Sequence, residues 1–121
     1  MKRVLLKLSG EALSGDKGTG FDEATCIKVA NQVKEIVDAG VEVGVVIGGG
    51  NFWRGRQSNT IDRTKADQIG MLATVMNCIY VSEIFRYVGM DTLIMTQFAC
   101  GDCSVMYSKD DAMDALKGGK V

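Results

Sequence analysis

The sequence predicts an α/β fold built around a mainly parallel β-sheet. Two short runs rich in leucine, valine and isoleucine, residues 3–8 and 41–47, are typical of strands buried on both faces of a sheet. A helical pattern separates them, and this succession of strand, helix and strand predicts a right-handed crossover between parallel neighbours. The 121 residues, of which 46% are hydrophobic, are enough for one domain with a buried core. We therefore expect both strands to end at the same edge of one sheet.

The first half of the chain follows this order element by element. After the strand at residues 3–8, a glycine-rich connection at residues 14–20 leads to Asp22, whose carboxylate is suited to cap a helix. Apolar residues then repeat at helical spacing, namely Ile27, Ala30, Val33 and Val37. Gly40 is expected to end this helix, and the second strand follows directly at residues 41–47.

A long helical pattern runs from Asp62 to Tyr87 and is apolar on nearly all sides. One stripe consists of Ile69, Leu72, Ala73, Met76 and Ile79, and another consists of Met71, Val75, Cys78, Val81 and Phe85. Such a helix is buried on two sides. One side is expected to pack on the sheet, and the other either on a second subunit or within a larger monomer.

The last part of the chain predicts a third strand at residues 92–95 and a final helix. Ser108 is a suitable N-cap, and the helix is expected to end at Gly118 and Gly119. Residues 120–121 are typical of the start of another strand. We therefore expect a further βα unit to follow, which makes the chain an apparently truncated domain.

The most informative motif follows the second strand and reads Ile47-Gly48-Gly49-Gly50-Asn51-Phe52-Trp53-Arg54-Gly55. Without side chains in the way, successive main-chain amides can form a concave site for phosphate oxygens. The motif matches neither the G-x-x-x-x-G-K-[ST] loop nor the G-x-G-x-x-G fingerprint. A turn that merely reverses the chain explains three glycines equally well, but Asn51 and Arg54 favour a phosphate site. The tip at residues 7–10 should meet this loop at the carboxyl edge of the sheet, where open α/β folds bind ligands.

Composition excludes several other classes of function. The 14 basic and 15 acidic residues give a net charge of -1, which predicts no broad surface for nucleic acid or for an anionic membrane. We expect no apolar stretch that approaches the roughly 20 residues needed to span a bilayer and no signal peptide, and therefore a cytoplasmic protein without a membrane partner. Cys26 and Cys78 fall in helical patterns as small buried residues. The chain has no histidine, so the pair Cys100 and Cys103 is treated as coincidence and no metal ligands are predicted.

Three motifs together closely resemble those of the bacterial uridylate kinases, a branch of the amino-acid-kinase family. They are Lys7-Leu8-Ser9-Gly10-Glu11-Ala12-Leu13, Val45-Val46-Ile47-Gly48-Gly49-Gly50-Asn51 with Arg54-Gly55, and Ala66-Asp67 followed by Gly70-Met71-Leu72-Ala73-Thr74. The resemblance covers essentially the whole chain in order. It implies a three-layer α/β/α sandwich that transfers the γ-phosphoryl group of ATP, with Mg²⁺, to UMP, and it implies an assembly of dimers into hexamers.

The resemblance also implies the roles of individual residues. Those expected to contact ATP are Lys7, Leu8, Ser9, Gly10, Gly50 and Arg54, with Lys7 and Arg54 as the catalytic charges. Gly49 and Asp67 are expected to contact UMP, because a carboxylate can accept two hydrogen bonds from ribose hydroxyls. The resemblance further implies activation by GTP through Gly15, Asp16, Lys17, Gly18, Thr19 and Gly20. A mobile glycine-rich connection explains the same residues without an effector. Inhibition by UTP follows from the resemblance alone.

The departures from the family pattern are as informative as the matches. Residues 1–121 correspond to the phosphate and UMP side of one domain, and the later Thr-Gly-Asn-Pro motif and the pocket for the nucleotide base are missing. We therefore expect negligible kinase activity from these residues alone. Two alternatives remain open: a related enzyme that phosphorylates a carboxylate or carbamate, and a non-catalytic fragment that keeps an oligomerising helix and a partial anion site.

Overall fold

A computed structural model describes residues 2–53 and 59–121 and has an α/β fold with parallel strands. In chain order the elements are strand β1 (Arg3–Leu8), helix α1 (Gly10–Ser14), a 3₁₀ turn (Gly15–Lys17), helix α2 (Glu23–Asp38), strand β2 (Glu42–Ile47), helix α3 (Arg63–Tyr87), strands β3 (Met95–Thr96) and β4 (Val105–Met106), and helix α4 (Lys109–Lys117). The predictions for Arg54 and Gly55 lie outside the described residues.

Strands β1 and β2 pair in parallel, as the sequence predicts. Arg3 lies opposite Glu42 and Leu8 lies opposite Ile47, so both strands end at the same edge. The first pair is tied by an ion pair in which Arg3 Nε donates to Glu42 Oε2 at 2.6 Å. Because β1 and β2 are joined through helix α2, the pair is the crossover unit that the alternation of patterns predicts.

The core lies between one face of this sheet and helices α2 and α3. Its buried members include Leu13, Cys26, Ala30, Val33, Val43, Ile47, Val81, Ile84, Phe85 and Met90. Helix α2 begins where predicted, since the carboxylate of Asp22 accepts a hydrogen bond from the Thr25 N–H at 3.1 Å. It ends at Asp38, and Gly40 follows with a φ of +88°, a conformation that favours glycine.

The opposite face of the sheet is only partly covered. Leu5 of β1 is 73% exposed and Val46 of β2 is 50% exposed. Helix α4 approaches this side, where Met113 Sδ accepts a hydrogen bond from Arg3 Nη1 at 3.0 Å. The layers are therefore α2 and α3 on one side, the parallel sheet in the middle and α4 on the other, which is the predicted α/β/α arrangement with one thin layer.

Helix α3 has the predicted extent but a different distribution of its apolar residues. Val75, Val81 and Phe85 are buried, whereas most of the other predicted stripe faces outward: Ile69, Leu72, Met76 and Ile79 are exposed and only Ala73 is buried. Within the described part of the chain α3 is long and apolar enough, by length and composition alone, to cross a membrane, contrary to expectation. Its buried face against the sheet is equally typical of the core helix of a soluble protein.

The last part of the chain differs from the single predicted strand. Residues 92–95 were expected to form it, but the ladder is found at β3, which pairs in parallel with β4 in a separate two-stranded sheet. Hydrogen-bond partners decide where β3 begins. Leu93 lies outside it because its N–H donates to the carbonyl of Val121, at 3.0 Å, and not to β4. Helix α4 begins at the predicted cap, where Ser108 Oγ accepts from the Asp111 N–H at 3.1 Å. It ends before Gly118, as expected.

Candidate functional site

The two glycine-containing strand tips meet at the carboxyl edge of the first sheet. The Gly48 N–H donates to the carbonyl of Leu8 at 2.9 Å, which extends the ladder by one residue beyond β2. Residues 9–10 and 48–51 then turn away from the strands side by side. The structure therefore brings together the two segments that the sequence places at one ligand site.

The two backbones approach so closely at Gly10 that glycine is required there. A Cβ on Gly10 would lie 2.6 Å from both Asn51 Oδ1 and the Gly50 nitrogen, closer than real Cβ contacts. A Cβ on Gly50 would overlap the carboxylate of Glu11, which is the end of a flexible side chain and could move. The tips therefore form a rim in which two main-chain segments lie side by side, and closely placed main chain is a property of phosphate-binding loops.

Lys7 and Ser9 flank this rim in different ways. Lys7 is exposed on the outer face of β1, and among residues 2–53 and 59–121 no carboxylate forms an ion pair with it. Its ammonium group is therefore available to an anion at the edge. Ser9 is the N-cap of α1, and its Oγ accepts a hydrogen bond from the Ala12 N–H at 3.2 Å. Its hydroxyl thus already has a structural partner.

The glycine loop is anchored to α3 by a buried pair of amides, in which Asn77 was missed by sequence reasoning and Asn51 was expected at a phosphate site but uses its side chain to hold the loop. Asn51 is 2% exposed and Asn77 is fully buried. Asn77 Nδ2 donates to Asn51 Oδ1 at 2.8 Å and to the Gly48 carbonyl at 2.7 Å, and Asn51 Nδ2 donates to Asn77 Oδ1 at 3.2 Å. The available signal was a single asparagine in the mostly apolar stretch of residues 69–81, since a buried amide needs a hydrogen-bond partner.

The glycine-rich connection at residues 15–20 docks on the same asparagine. The Asn51 carbonyl accepts from the Gly20 N–H at 3.1 Å and from Thr19 Oγ1 at 2.8 Å, while Asn51 Nδ2 donates to the Gly20 carbonyl at 2.9 Å. Gly15, Gly18 and Gly20 all have positive φ, as glycine allows. The predicted flexible connection therefore has defined turns and a fixed end, because Asn51 supplies both donor and acceptor to it.

Gly49 packs against the first turns of α3, and Asp67 is part of these turns. A Cβ on Gly49 would lie 3.2 Å from the Gly70 carbonyl and 3.2 Å from Ala73 Cβ, so the loop packs directly on the helix. Trp53 packs beside it, and its Nε1 donates to the Ala66 carbonyl at 2.9 Å. Asp67, the next residue, is exposed in the same turn. Trp53 therefore ties the end of the loop to α3.

Cys26 and Cys78 lie in helices α2 and α3 and have free thiols. Cys26 is buried and its thiol donates to the Leu13 carbonyl at 3.4 Å, and burial raises the pKa of this thiol. Burial also raises the pKa of Cys78. Residues 2–53 and 59–121 contain no group of three or more histidine, cysteine or acidic side chains that could hold a metal ion. These residues thus offer no metal centre of their own.

Comparisons with known proteins agree with this arrangement. The model of the amino acid kinase family matches residues 2–119. The solved structure of UMP kinase from Bacillus anthracis is 36% identical with a TM-score of 0.92, and the match covers 98% of this chain and 50% of that one. UMP kinase from Ureaplasma parvum is 26% identical with a TM-score of 0.92, covering 100% of this chain and 54% of that one. This chain thus spans about half the length of those enzymes, and it belongs to the amino acid kinase family.

Proposed function

We propose that this chain forms the phosphate-handling half of a UMP kinase, which transfers the γ-phosphoryl group of ATP to UMP and yields UDP and ADP. One observation carries the proposal: the rim of residues 9–10 and 48–51 brings two main-chain segments together beside the ammonium group of Lys7, which has no ion-pair partner among the described residues. The likeness to UMP kinases over the whole of this chain supports UMP as the acceptor.

The chemistry of this transfer suits such a rim. An oxygen of the UMP phosphate forms a bond to the γ-phosphorus while the bond to the bridging oxygen of ADP breaks, and no covalent intermediate with the protein is needed. A loose, highly charged transition state of this kind requires positioning and fixed positive charge or amide donors. In the proposal Lys7 supplies the charge and the rim supplies the amides.

The proposal divides the edge between two nucleotides. Lys7, Leu8, Ser9, Gly10, Gly50 and Arg54 face ATP, and Gly49 and Asp67 face UMP. Asp67 accepts hydrogen bonds from ribose hydroxyls, for which its exposed position beside the Trp53 anchor is suitable. Magnesium enters with ATP, and no step here depends on a metal ligand from this chain. GTP is proposed to act at residues 15–20, which share Asn51 with the rim, and UTP to inhibit.

A non-catalytic, oligomerising role is the second candidate, and the exposed stripe on α3 favours it. Ile69, Leu72, Met76 and Ile79 form a continuous apolar row on the surface of this chain. In the kinase proposal the same stripe is the contact between subunits of a cytoplasmic homo-oligomer, so the two candidates differ in nucleotide binding and not in assembly.

A coupled assay for UDP formation from ATP, Mg²⁺ and UMP tests the proposal. The assay compares this chain with a longer version that carries a second half, and offers CMP and acetylglutamate as competing acceptors. We expect UMP-selective turnover in the longer version and negligible turnover in this chain. Preference for acetylglutamate would move the function to a carboxylate kinase of the same family. Oligomers that bind neither nucleotide would support the non-catalytic role.

A further inference from the structure

Two cysteines stand at the ends of one tight turn between β3 and β4. The Cys103 N–H donates to the Cys100 carbonyl at 3.0 Å, which makes residues 100–103 a β-turn. Gly101, its second residue, has a φ of +55°, a conformation that glycine adopts without strain. The end Cα atoms of a β-turn lie within about 7 Å, and a disulfide joins Cα atoms about 4.4–6.8 Å apart. The turn thus gives a physical reason to link two residues that the sequence alone presents as coincidence.

The loop that carries this turn is held at both ends. Thr96 Oγ1 donates to the Phe98 carbonyl at 2.6 Å, and the hydroxyl oxygens of Thr96 and Ser104 lie 2.8 Å apart. The Tyr107 N–H donates to the Thr96 carbonyl at 2.8 Å, so the ladder of β3 and β4 closes the loop from outside. Because these bonds fix the chain on either side of the turn, a covalent bond across the turn requires little further ordering of the chain.

The two thiols are free, and they differ in their access to solvent. Cys103 is exposed, whereas Cys100 is partly buried. A reagent in solution therefore meets Cys103 first. Within the described part of the chain, no group of three histidine, cysteine or acidic side chains could hold a metal ion, so this pair lacks the further ligands of a metal site there. Thiol–disulfide exchange is the chemistry that remains open to two adjacent thiols.

We propose that Cys100 and Cys103 form a reversible redox pair, which low-molecular-weight disulfides such as glutathione disulfide oxidise to an intramolecular disulfide. The Cys103 thiolate attacks one sulfur of glutathione disulfide, so a mixed disulfide forms and one glutathione thiolate leaves. The Cys100 thiolate then attacks Cys103 Sγ, which forms the Cys100–Cys103 bond and releases the second glutathione thiolate. The protons lost by the cysteines pass to the two glutathione thiolates. Two protein thiols are thus oxidised while one glutathione disulfide is reduced.

The order of these two attacks follows from the surroundings of Cys100. Partial burial raises the pKa of the Cys100 thiol, and the neighbouring Cys103 thiol raises it further. Once Cys103 is part of the mixed disulfide, it can no longer carry a negative charge. One cause of the raised pKa then disappears, so formation of the mixed disulfide itself favours the thiolate of Cys100 that completes the reaction.

Equilibration of this chain with mixtures of reduced and oxidised glutathione tests the proposal without any nucleotide. After acid quenching and alkylation of the remaining thiols, mass spectrometry of tryptic peptides gives the state of each cysteine. Cys100 and Cys103 share the peptide of residues 87–109, and Cys26 and Cys78 lie in two others, so they serve as internal references. We expect the peptide 87–109 to lose two hydrogen atoms, and its oxidised-to-reduced ratio to exceed that of either reference at least about tenfold.

Two single variants separate the two attacks. Cys100→Ser lacks the second thiol, so it should keep glutathione bound to Cys103, whereas the parent should release it. Cys103→Ser leaves only the partly buried thiol and should react with glutathione disulfide at least about tenfold more slowly than Cys100→Ser. Glutathione retained equally by the parent and Cys100→Ser would overturn the proposal. So would a peptide 87–109 that stays as reduced as the references, or disulfides that join two chains in non-reducing electrophoresis. None of these outcomes affects the UDP assay.

Discussion

At the scale of single residues, the charge on Lys7 is the feature on which the proposed reaction depends. Its ammonium group has no carboxylate partner among the described residues and stands beside a rim of main-chain groups. Removing one preorganised donor from a phosphoryl-transfer or acyl-transfer site typically costs about 10² to 10³ in turnover. In a longer, active version, Lys7→Ala should therefore lower kcat by at least about 10², as measured by UDP formation.

Lys2→Ala is the matched control for this prediction, because Lys2 is an exposed lysine at the other end of the same strand. It should leave kcat within about twofold of the parent, as expected for a surface position. A kcat of Lys7→Ala equal to that of Lys2→Ala would remove Lys7 from the mechanism.

The buried amide of Asn77 makes a testable contribution to stability. Asn77→Ala removes the donors to the Gly48 carbonyl and to Asn51 Oδ1, and leaves buried polar groups without partners. Such a loss costs about 1–3 kcal/mol per unsatisfied group, so the free energy of unfolding should fall by at least that amount. Urea denaturation followed by circular dichroism measures it. Asn31→Ala, at an exposed position of α2, should change stability by less than about 0.5 kcal/mol, and similar losses in both variants would contradict the prediction.

Sequence reasoning succeeds and fails at this scale for identifiable reasons. The close approach at Gly10 could be predicted, because a glycine directly after a strand often reflects the need for close main-chain contact. Asn77 could be noticed as a polar residue among apolar ones, but its partner could not be predicted, because Asn51 reaches it from 26 positions away. The pairing of two distant side chains carries no local signal.

At the scale of elements, the N-terminus of α2 should respond to acid. The hydroxyl of Thr25 donates to the Asp22 carboxylate, and this bond, with the Thr25 N–H and the charge of Lys17, lowers the pKa of Asp22 below its ordinary value of 3.8. A lowered pKa means that the ionised cap stabilises the folded state above pH 3.8 and that this contribution is lost as the pH falls through the lowered value.

Asp22→Asn keeps a capping oxygen without a charge, so it isolates this effect. The urea midpoint of the parent should exceed that of Asp22→Asn near neutral pH, and the difference should shrink below pH 3.8. A difference that stays constant through the acid range would show that the charge of Asp22 contributes nothing.

The outward stripe of α3 predicts association through this helix. Met76 lies at the middle of the stripe and is 47% exposed. A glutamate there would have to be buried without a partner in any helix-to-helix contact, and an unpaired buried charge is strongly unfavourable. Met76→Glu in the longer version should therefore give a smaller particle in sedimentation velocity. Gln32→Glu adds the same charge on the exposed side of α2 and should keep the parental size. Equal sizes for all three proteins would exclude this interface.

The extents of long elements were predictable, and those of short ones were not. The predicted helix from Asp62 to Tyr87 is found at Arg63–Tyr87, because an apolar repeat over seven turns leaves little choice. The third strand moved from residues 92–95 to Met95–Thr96, and β4 was not predicted at all. Two-residue strands are defined by their partner, and the partner is not visible in the local sequence.

At the scale of the whole molecule, the outer face of the first sheet and the core should respond differently to mutation. Leu5 of β1 faces outward and is 73% exposed, whereas Leu13 of α1 lies in the core and is 1% exposed. In this chain Leu5→Ala should cost less than about 0.5 kcal/mol and Leu13→Ala about 2–5 kcal/mol of unfolding free energy. Urea denaturation of both variants measures this, and similar losses in the two would contradict the prediction.

The amide pair of Asn51 and Asn77 has a consequence for motion across the whole molecule. Each side-chain amide both donates to and accepts from the other. Rotating either amide group by 180° would place donor against donor and acceptor against acceptor. The two side chains therefore form both hydrogen bonds in one orientation only. Since Asn51 also holds residues 19–20 and Asn77 holds Gly48, the connection, the loop and the long helix can separate only by breaking these hydrogen bonds. We therefore expect a ligand that displaces residues 15–20 to shift the rim as well.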